Sequence, residues 1–272
     1  MTPRPIGILL DLAKCRGCRR CVTACQRAHG FPETSGGGEE LGPRALTAVR
    51  KGDDSWVRTM CRHCLSPACV SACIVGALKK SPLGPVGYEA DKCIGCRYCM
   101  LACPFNVPKY EWDSANPKVQ KCDLCLPEVE RGRSPACAKA CPHDATVFGP
   151  REELVAEAHR RIEAEPSVYH DHVYGEAELG GTSVMFIAPA PVAALGYRPE
   201  LGERPLPDIT AEALLRVPWI ALCGTATLAG LWWILRRRDE VALARSAAGR
   251  AAHERLRRDA GASTREVGHE GR

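Results

Sequence analysis

Residues Cys93-Ile-Gly-Cys96-Arg-Tyr-Cys99-Met-Leu-Ala-Cys103-Pro104 set four thiols at the spacing C-x2-C-x2-C-x3-C-P. The x2 gaps make a tight loop in which three sulfurs converge and free backbone N–H groups can point at whatever they hold. Such a run binds an iron–sulfur cube through its first three cysteines, while the fourth reaches a different cube. The x3 gap puts Cys99 and Cys103 at i and i+4, on one face of a helical turn. One turn can therefore hold two neighbouring clusters at a fixed separation. Pro104 stops that turn, because the residue before a proline is pushed out of the helical region.

The run is one of four. Cys15-x2-Cys18-x2-Cys21-x3-Cys25 comes first, and Cys61-x2-Cys64-x4-Cys69-x3-Cys73 precedes the run at Cys93. Cys122-x2-Cys125-x11-Cys137-x3-Cys141 closes the series. Each unit offers three cysteines and an outlier at i+4, an internal repeat that organises the chain. The sixteen thiolates satisfy four [4Fe-4S] clusters with none left over, and only Cys223, the seventeenth, lies outside the repeat. Zinc also uses C-x2-C pairs, but usually as two pairs or with histidine. Disulfides within trios this compact would be strained. Nothing distinguishes one C-x2-C pair from the rest as a catalytic dithiol. Spacing alone shows that each fourth cysteine crosses over, but leaves open to which repeat.

Short elements must carry these loops. Residues 6–10 read as a buried strand ending at Asp11, and Ala145–Phe148 as another; the two flank the outermost repeats and could pair. Gly76–Lys80 and Val86–Ala90 read as two strands joined by a Pro- and Gly-bearing turn, and Gly36–Glu40 as a surface insertion. Arg151–Ala164 reads as an amphipathic helix with Leu154, Val155, Ala158 and Ile162 as its apolar stripe. Residues 180–187 read as a strand, and the proline-rich stretch to Pro207 as an extended strap. Since the thiol count already closes, His159, His170 and His172 are expected at the surface. His63 is expected to fill space beside its motif, and His143 could tune the nearest cluster.

Aromatics make up 6% of the chain, so bound metal must contribute much of the stability. The formal net charge of +5 is concentrated at the end: residues 236–272 carry ten Arg against six Asp and Glu. The remainder is close to neutral, which argues against a nucleic-acid partner. The N-terminal residues contain neither a twin arginine nor an apolar run long enough for a signal peptide. Val217–Leu235 has no charged residue and as a helix would span roughly 28 Å, with Trp219 at one end and Trp232 and Trp233 at the other. Six Arg in the twenty residues after Leu235, against three in the twenty before Val217, place the tail in the cytoplasm and the cysteine-rich part on the outer face. The basic tail could lie on anionic headgroups or be disordered. The expected organisation is residues 1–150 as a cluster domain, 151–216 as packing helix and strap, 217–235 as a membrane helix and 236–272 as a basic cytoplasmic tail.

The four motifs, the helix after them and the single anchor resemble a known family. It comprises the four-cluster, ferredoxin-like electron-transfer subunits of membrane-bound [NiFe] hydrogenases of the hydrogenase-2 type, and those of formate dehydrogenase N and related molybdopterin oxidoreductases. The most specific stretches are Cys93–Tyr110, Arg151–Arg161 and Gly180–Met185. The resemblance implies an α+β fold, a double ferredoxin-like domain with four [4Fe-4S] clusters plus one C-terminal transmembrane helix. It also implies nested pairing of the repeats, first with fourth and second with third. The ligand sets would be Cys15, Cys18, Cys21 with Cys141; Cys122, Cys125, Cys137 with Cys25; Cys61, Cys64, Cys69 with Cys103; and Cys93, Cys96, Cys99 with Cys73. Ile74 stands where the family commonly has proline after the fourth cysteine of the second repeat. The Cys125–Cys137 gap resembles the formate dehydrogenase branch, the wording of Cys93–Tyr110 the hydrogenase branch.

On this resemblance the chain would not itself be an enzyme. It would be an inner-membrane electron wire between a hydrogenase or molybdopterin catalytic subunit and an integral-membrane cytochrome b or other quinone-reactive subunit. A cytoplasmic polyferredoxin and a zinc- or disulfide-stabilised, membrane-anchored binding module are the competing readings.

Overall fold

The computed structural model describes residues 4–33, 38–52, 55–112, 117–198 and 201–266, with side chains described to Arg258. In chain order the strands are β1 (Ile6–Asp11), β2 (Thr47–Lys51), β3 (Trp56–Met60), β4 (Leu78–Lys80), β5 (Val86–Tyr88), β6 (Lys109–Tyr110), β7 (Val119–Gln120), β8 (Thr146–Pro150) and β9 (Val184–Ile187). The helices are α1 (Arg20–Ala28), α2 (Ala68–Ser71), α3 (Tyr98–Ala102), α4 (Leu126–Glu130), α5 (Ala136–Lys139), α6 (Arg151–Ala164), α7 (Leu206–Arg245) and α8 (Ala247–Glu266). They divide into two compact units, Met1–Thr210 and Ala211–Arg272.

In the first unit the organising sheet has the order β8-β1-β9. The first strand pairs antiparallel with β8, from Ile6 opposite Pro150 to Leu10 opposite Thr146. It pairs parallel with β9, from Ile8 opposite Val184 to Asp11 opposite Ile187. The two flanking segments read as strands at either end of the repeats therefore do meet. Because side chains alternate across a strand, β1 serves two cores. Leu9 joins Met185, Ile187 and the Leu154, Ala158 and Ile162 stripe of α6. Ile8 and Leu10 face the other way, into a core shared with Cys25, Cys61, Cys122 and Cys137. On that side Tyr174, Phe186 and Tyr197 surround the Arg62 guanidinium at 5.7, 4.7 and 4.8 Å.

Helix α6 begins straight after β8 and covers residues Arg151–Ala164, as its periodicity predicts, with Glu152 and Glu153 in the first turn and Arg161 in the last. Those charges complement the helix dipole. At its far end Arg161 Nη1 donates to Asp11 Oδ2 at 2.9 Å, and Tyr169 Oη donates to the same oxygen at 2.9 Å. The fully buried Asp11 carboxylate is thereby paired, so helix and sheet are tied by charge as well as by apolar contact.

The remaining sheets are two-stranded: β2-β3, β4-β5 and β6-β7. The second of these is the pair of strands expected around the Pro- and Gly-bearing turn, antiparallel with Leu78 opposite Tyr88. The β2-β3 hairpin was not foreseen. Of the stretch read as a surface insertion, Gly36 and Gly37 lie outside the described residues, and Glu39 and Glu40 are exposed. Gly38 departs from that expectation: it is buried, and its carbonyl accepts from the Val49 N–H at 2.6 Å. A Cβ there would lie 2.9 Å from Val22, so only glycine fits between α1 and β2.

The proline-rich segment is not extended throughout. A turn over Pro191–Gly196 buries Leu195, and α7 already starts at Leu206, before Pro207. Helix α7 runs forty residues and contains Val217–Leu235 together with flanking turns on both sides. Its most apolar window has a mean hydropathy of 1.5 and is entirely exposed, and it is long and apolar enough to cross a membrane. Thr225 and Thr227 turn their hydroxyls onto the Ala221 and Cys223 carbonyls, at 2.7 and 2.8 Å, which satisfies the polar groups of this stretch internally. The basic segment that follows is helical as far as Glu266 rather than disordered.

Candidate iron–sulfur centres

The first C-x2-C loop of each repeat makes the same turn. Its second intervening residue is left-handed in all four repeats: Gly17 (φ +66°), His63 (+49°), Gly95 (+70°) and Leu124 (+60°). At Gly17 any Cβ would lie within 2.2 Å of the Trp56 ring, so glycine is obligatory there. At His63 and Leu124 a side chain holds this conformation at a cost of about 1 kcal/mol each. The turn aims backbone donors at sulfur. In the last repeat Leu124 N–H reaches Cys122 Sγ at 3.3 Å; outside these loops, Ala77 N–H reaches the fourth cysteine of the second repeat, Cys73 Sγ, at 3.2 Å.

The repeats meet in groups of four thiols. Cys15, Cys18, Cys21 and Cys141 line one cavity together with Arg58 and the exposed His143. Cys73, Cys93, Cys96 and Cys99 line another, closed by Tyr88 and Tyr110; the Tyr110 hydroxyl lies 3.4 Å from Cys99 Sγ. Burial, then Cys61, Cys103 and Cys69, push the Cys64 thiol well up, which places those four sulfurs together. Burial, then Cys25, Cys61 and Cys137, act on Cys122 in the same direction. Burial and then Asp123 and Cys137 raise Cys125 to about 11, against the pull of the Ala136 N–H.

The groups also influence one another electrostatically. Cys21 feels Cys137, Cys122 feels Cys61, and Cys69 feels Cys99. The groups therefore succeed one another as the Cys15, Cys122, Cys61 and Cys93 sets. None of the seventeen cysteines is joined in a disulfide. Cys69 is pushed up to about 12, first by burial and then by Cys61. The donor set, four convergent sulfurs with backbone N–H groups aimed at them, fits a [4Fe-4S] cluster.

Several residues around the sulfurs were not singled out in the sequence. Lys80 Nζ donates to the His63 carbonyl at 3.0 Å, to the Cys64 carbonyl at 2.7 Å and to the Gly84 carbonyl; burial holds its pKa down to about 8. Lys121 Nζ donates to the Val86 and Cys122 carbonyls at 2.5 and 2.9 Å. His29 bridges Asp123, through Nε2 at 3.0 Å, and the Cys25 carbonyl, through Nδ1 at 2.8 Å. The one available signal was charge inside apolar strands, as with Arg58 in W-V-R-T-M. His63 does fill space: it is fully buried, Nδ1 accepts the Val86 N–H at 2.9 Å, and burial, then Lys121 and Lys80, keep it neutral. His159, His170 and His172 are exposed. Ile74, the departure from proline, is 68% exposed, and α2 ends before it without a proline.

Comparison with known proteins follows the same lines. The profile of the 4Fe-4S dicluster domain matches residues 54–151. A protein of Nitratidesulfovibrio vulgaris (strain Hildenborough) is 40% identical over 254 residues, covering 87% of this chain and 68% of the relative. The hydrogenase-2 operon protein HybA of Escherichia coli O157:H7 is 37% identical over 235 residues, covering 70% of this chain and 71% of its own. The iron–sulfur subunit of the nitrate-inducible formate dehydrogenase of Escherichia coli K12 is 32% identical over 200 residues, with 67% of each covered. With these matches running through the cysteine repeats, the chain belongs to the family of ferredoxin-like 4Fe-4S subunits that includes HybA and the formate dehydrogenase iron–sulfur subunits.

Proposed function

We propose that this chain is the electron-relay subunit of a membrane-bound respiratory oxidoreductase. It holds four [4Fe-4S] clusters in the Cys15, Cys18, Cys21, Cys141 set; the Cys122, Cys125, Cys137, Cys25 set; the Cys61, Cys64, Cys69, Cys103 set; and the Cys93, Cys96, Cys99, Cys73 set. Each cluster, when bound, supplies a one-electron carrier whose potential responds to hydrogen bonding, charge and burial. The chain's own residues supply thiolates, backbone donors and a buried setting that excludes water. The observation that supports this reading is a pair of cavities each lined by four repeat cysteines, three from one repeat and one from another: Cys15, Cys18 and Cys21 with Cys141, and Cys93, Cys96 and Cys99 with Cys73.

The two ends of the relay differ, as suits two different partners. Beside Cys18 and Cys141 runs a polar groove with Arg20, Arg27 and Lys139. Around Cys73 and Cys93 the surface is apolar, with Ile74, Ile94, Tyr98 and Leu101 all exposed. One partner is a catalytic subunit of the [NiFe] hydrogenase or molybdopterin kind. The other is a quinone-reactive membrane subunit of the cytochrome b kind. Val217–Leu235 anchors the chain in the inner membrane as a single pass, with the cluster domain outside and the basic tail in the cytoplasm.

Elemental and sulfide analysis of the anaerobically prepared, detergent-solubilised complex tests this reading. It should give about sixteen iron and about sixteen sulfide per chain. Nickel alongside would mark the hydrogenase branch, and molybdenum or tungsten the pterin branch. Zinc in place of iron would sink the relay.

A further inference from the structure

Arg58 is a buried cation with no carboxylate partner among the described residues. It is 3% exposed, in the middle of β3. Its anchoring is neutral: Nε donates to Thr47 Oγ1 at 3.1 Å and Nη1 to Thr146 Oγ1 at 2.7 Å. Its own carbonyl accepts from the Tyr197 hydroxyl at 2.9 Å, which fixes the strand beneath it. Nη2 is buried with no hydrogen-bond partner. Among the described residues the groups that favour its charge are the thiols Cys137, Cys21 and Cys122, against the opposing effect of burial. Arg58 also lines the cavity of Cys15, Cys18, Cys21 and Cys141. It therefore borders two thiol groups at once.

A guanidinium stays protonated at any pH a protein meets, and an unpaired buried charge is costly. The compensating charge has to come from what occupies the two sites. The other buried cations differ: Lys121 spends its donors on backbone carbonyls, and the Arg62 guanidinium, whose Nη1 and Nη2 also lack hydrogen-bond partners, lies over the rings of Tyr174, Phe186 and Tyr197. We propose that Arg58 acts as the shared counter-ion of the clusters held by the Cys15 and Cys122 groups, raising the reduction potential of both. The inference rests on the four-cluster reading and adds a role to it. Reduction of either cluster, by one electron from the neighbouring carrier or catalytic partner, adds one negative charge near a fixed cation. No proton needs to be taken up. Coulomb attraction in this dry setting favours the reduced form at both sites together.

The test is a redox titration of the anaerobic native complex, followed by electron paramagnetic resonance, on wild type and Arg58→Gln. Iron content of the wild type, measured first, decides the four-cluster reading separately. With iron retained, R58Q should shift two of the four midpoint potentials to more negative values and leave the other two in place. Should R58Q lose iron, Thr47→Asp takes over, since it keeps an acceptor for Nε while neutralising the guanidinium; the same two midpoints should fall. Unchanged potentials, or an equal shift of all four, in the variant that retains iron would overturn the proposal.

Discussion

The first and fourth repeats and the second and third repeats hold their thiols in different kinds of structure. The outer pair is mounted on the β8-β1-β9 sheet and on α6, whose buried core of Leu9, Leu154, Ala158, Ile162, Met185 and Ile187 contains no cysteine. The inner pair is mounted on the β4-β5 and β6-β7 ribbons. Its core is Leu78, Val86, Cys99, Tyr110 and Val119, edged by Cys69, Cys73 and Cys93. Two-stranded ribbons are marginal in water by themselves. The outer half thus has one cysteine-free apolar core beside the core it shares with Cys25, Cys61, Cys122 and Cys137, while the inner half draws more heavily on whatever binds its sulfurs.

Stripping the iron with a chelator under reducing conditions should break this symmetry most. Hydrogen exchange should show the amides of β4 to β7 losing protection entirely while β1, β8 and α6 stay protected; uniform loss would show that the outer half is equally metal-dependent. Leu154→Ala, in the cysteine-free core, should destabilise the outer half by about 3 kcal/mol, read as faster exchange at β1 with iron content unchanged. Asp11→Ala would strand Arg161 and Tyr169 without their shared acceptor, and about 3 kcal/mol of protection at the α6–β1 contact should go with it. At the inner end, Tyr110→Phe removes the hydroxyl beside Cys99 and should cost about 1 kcal/mol of preference for the more negative cluster state. That would appear as a small downward shift of one midpoint potential.

The smallest effect belongs to Glu157. Arg160 and Arg161 hold its carboxyl down to about 2. A depressed carboxyl stabilises the fold above its unfolded value, near 4.5, and that contribution fades as pH falls from there towards 2. Because the pair is partly solvated, it contributes only a few tenths of a kcal/mol. Glu157→Gln should remove the acid sensitivity of α6 exchange and little else.

Much of this comparison was already present in local sequence. Helix α6 was readable because its stripe repeats at helical spacing and its ends carry charges of the right sign. The strands β1, β4, β5 and β8 were readable because each sits between a cysteine loop and a turn residue. The β2-β3 hairpin was missed because Thr47–Lys51 carries no alternation, and its partner strand is interrupted by Arg58. The buried position of Gly38 was equally invisible, since a glycine has no side chain to mark the face it lies on. Helix α7 outran its apolar stretch at both ends because polar residues extend a helix as readily as apolar ones.

The sequence by itself determined that thiols come in trios with a fourth one turn away, since spacing sets local geometry and the left-handed loop residue follows from it. It also marked one stretch as long and apolar enough to cross a membrane. The tertiary structure brought Cys141 to the Cys15 trio and Cys73 to the Cys93 trio. It also placed a single arginine between the Cys15 and Cys122 groups. Those relations join residues some tens of positions apart, and no local period records them; they follow from β1 pairing with β8 and from the crossing of the repeats around that contact.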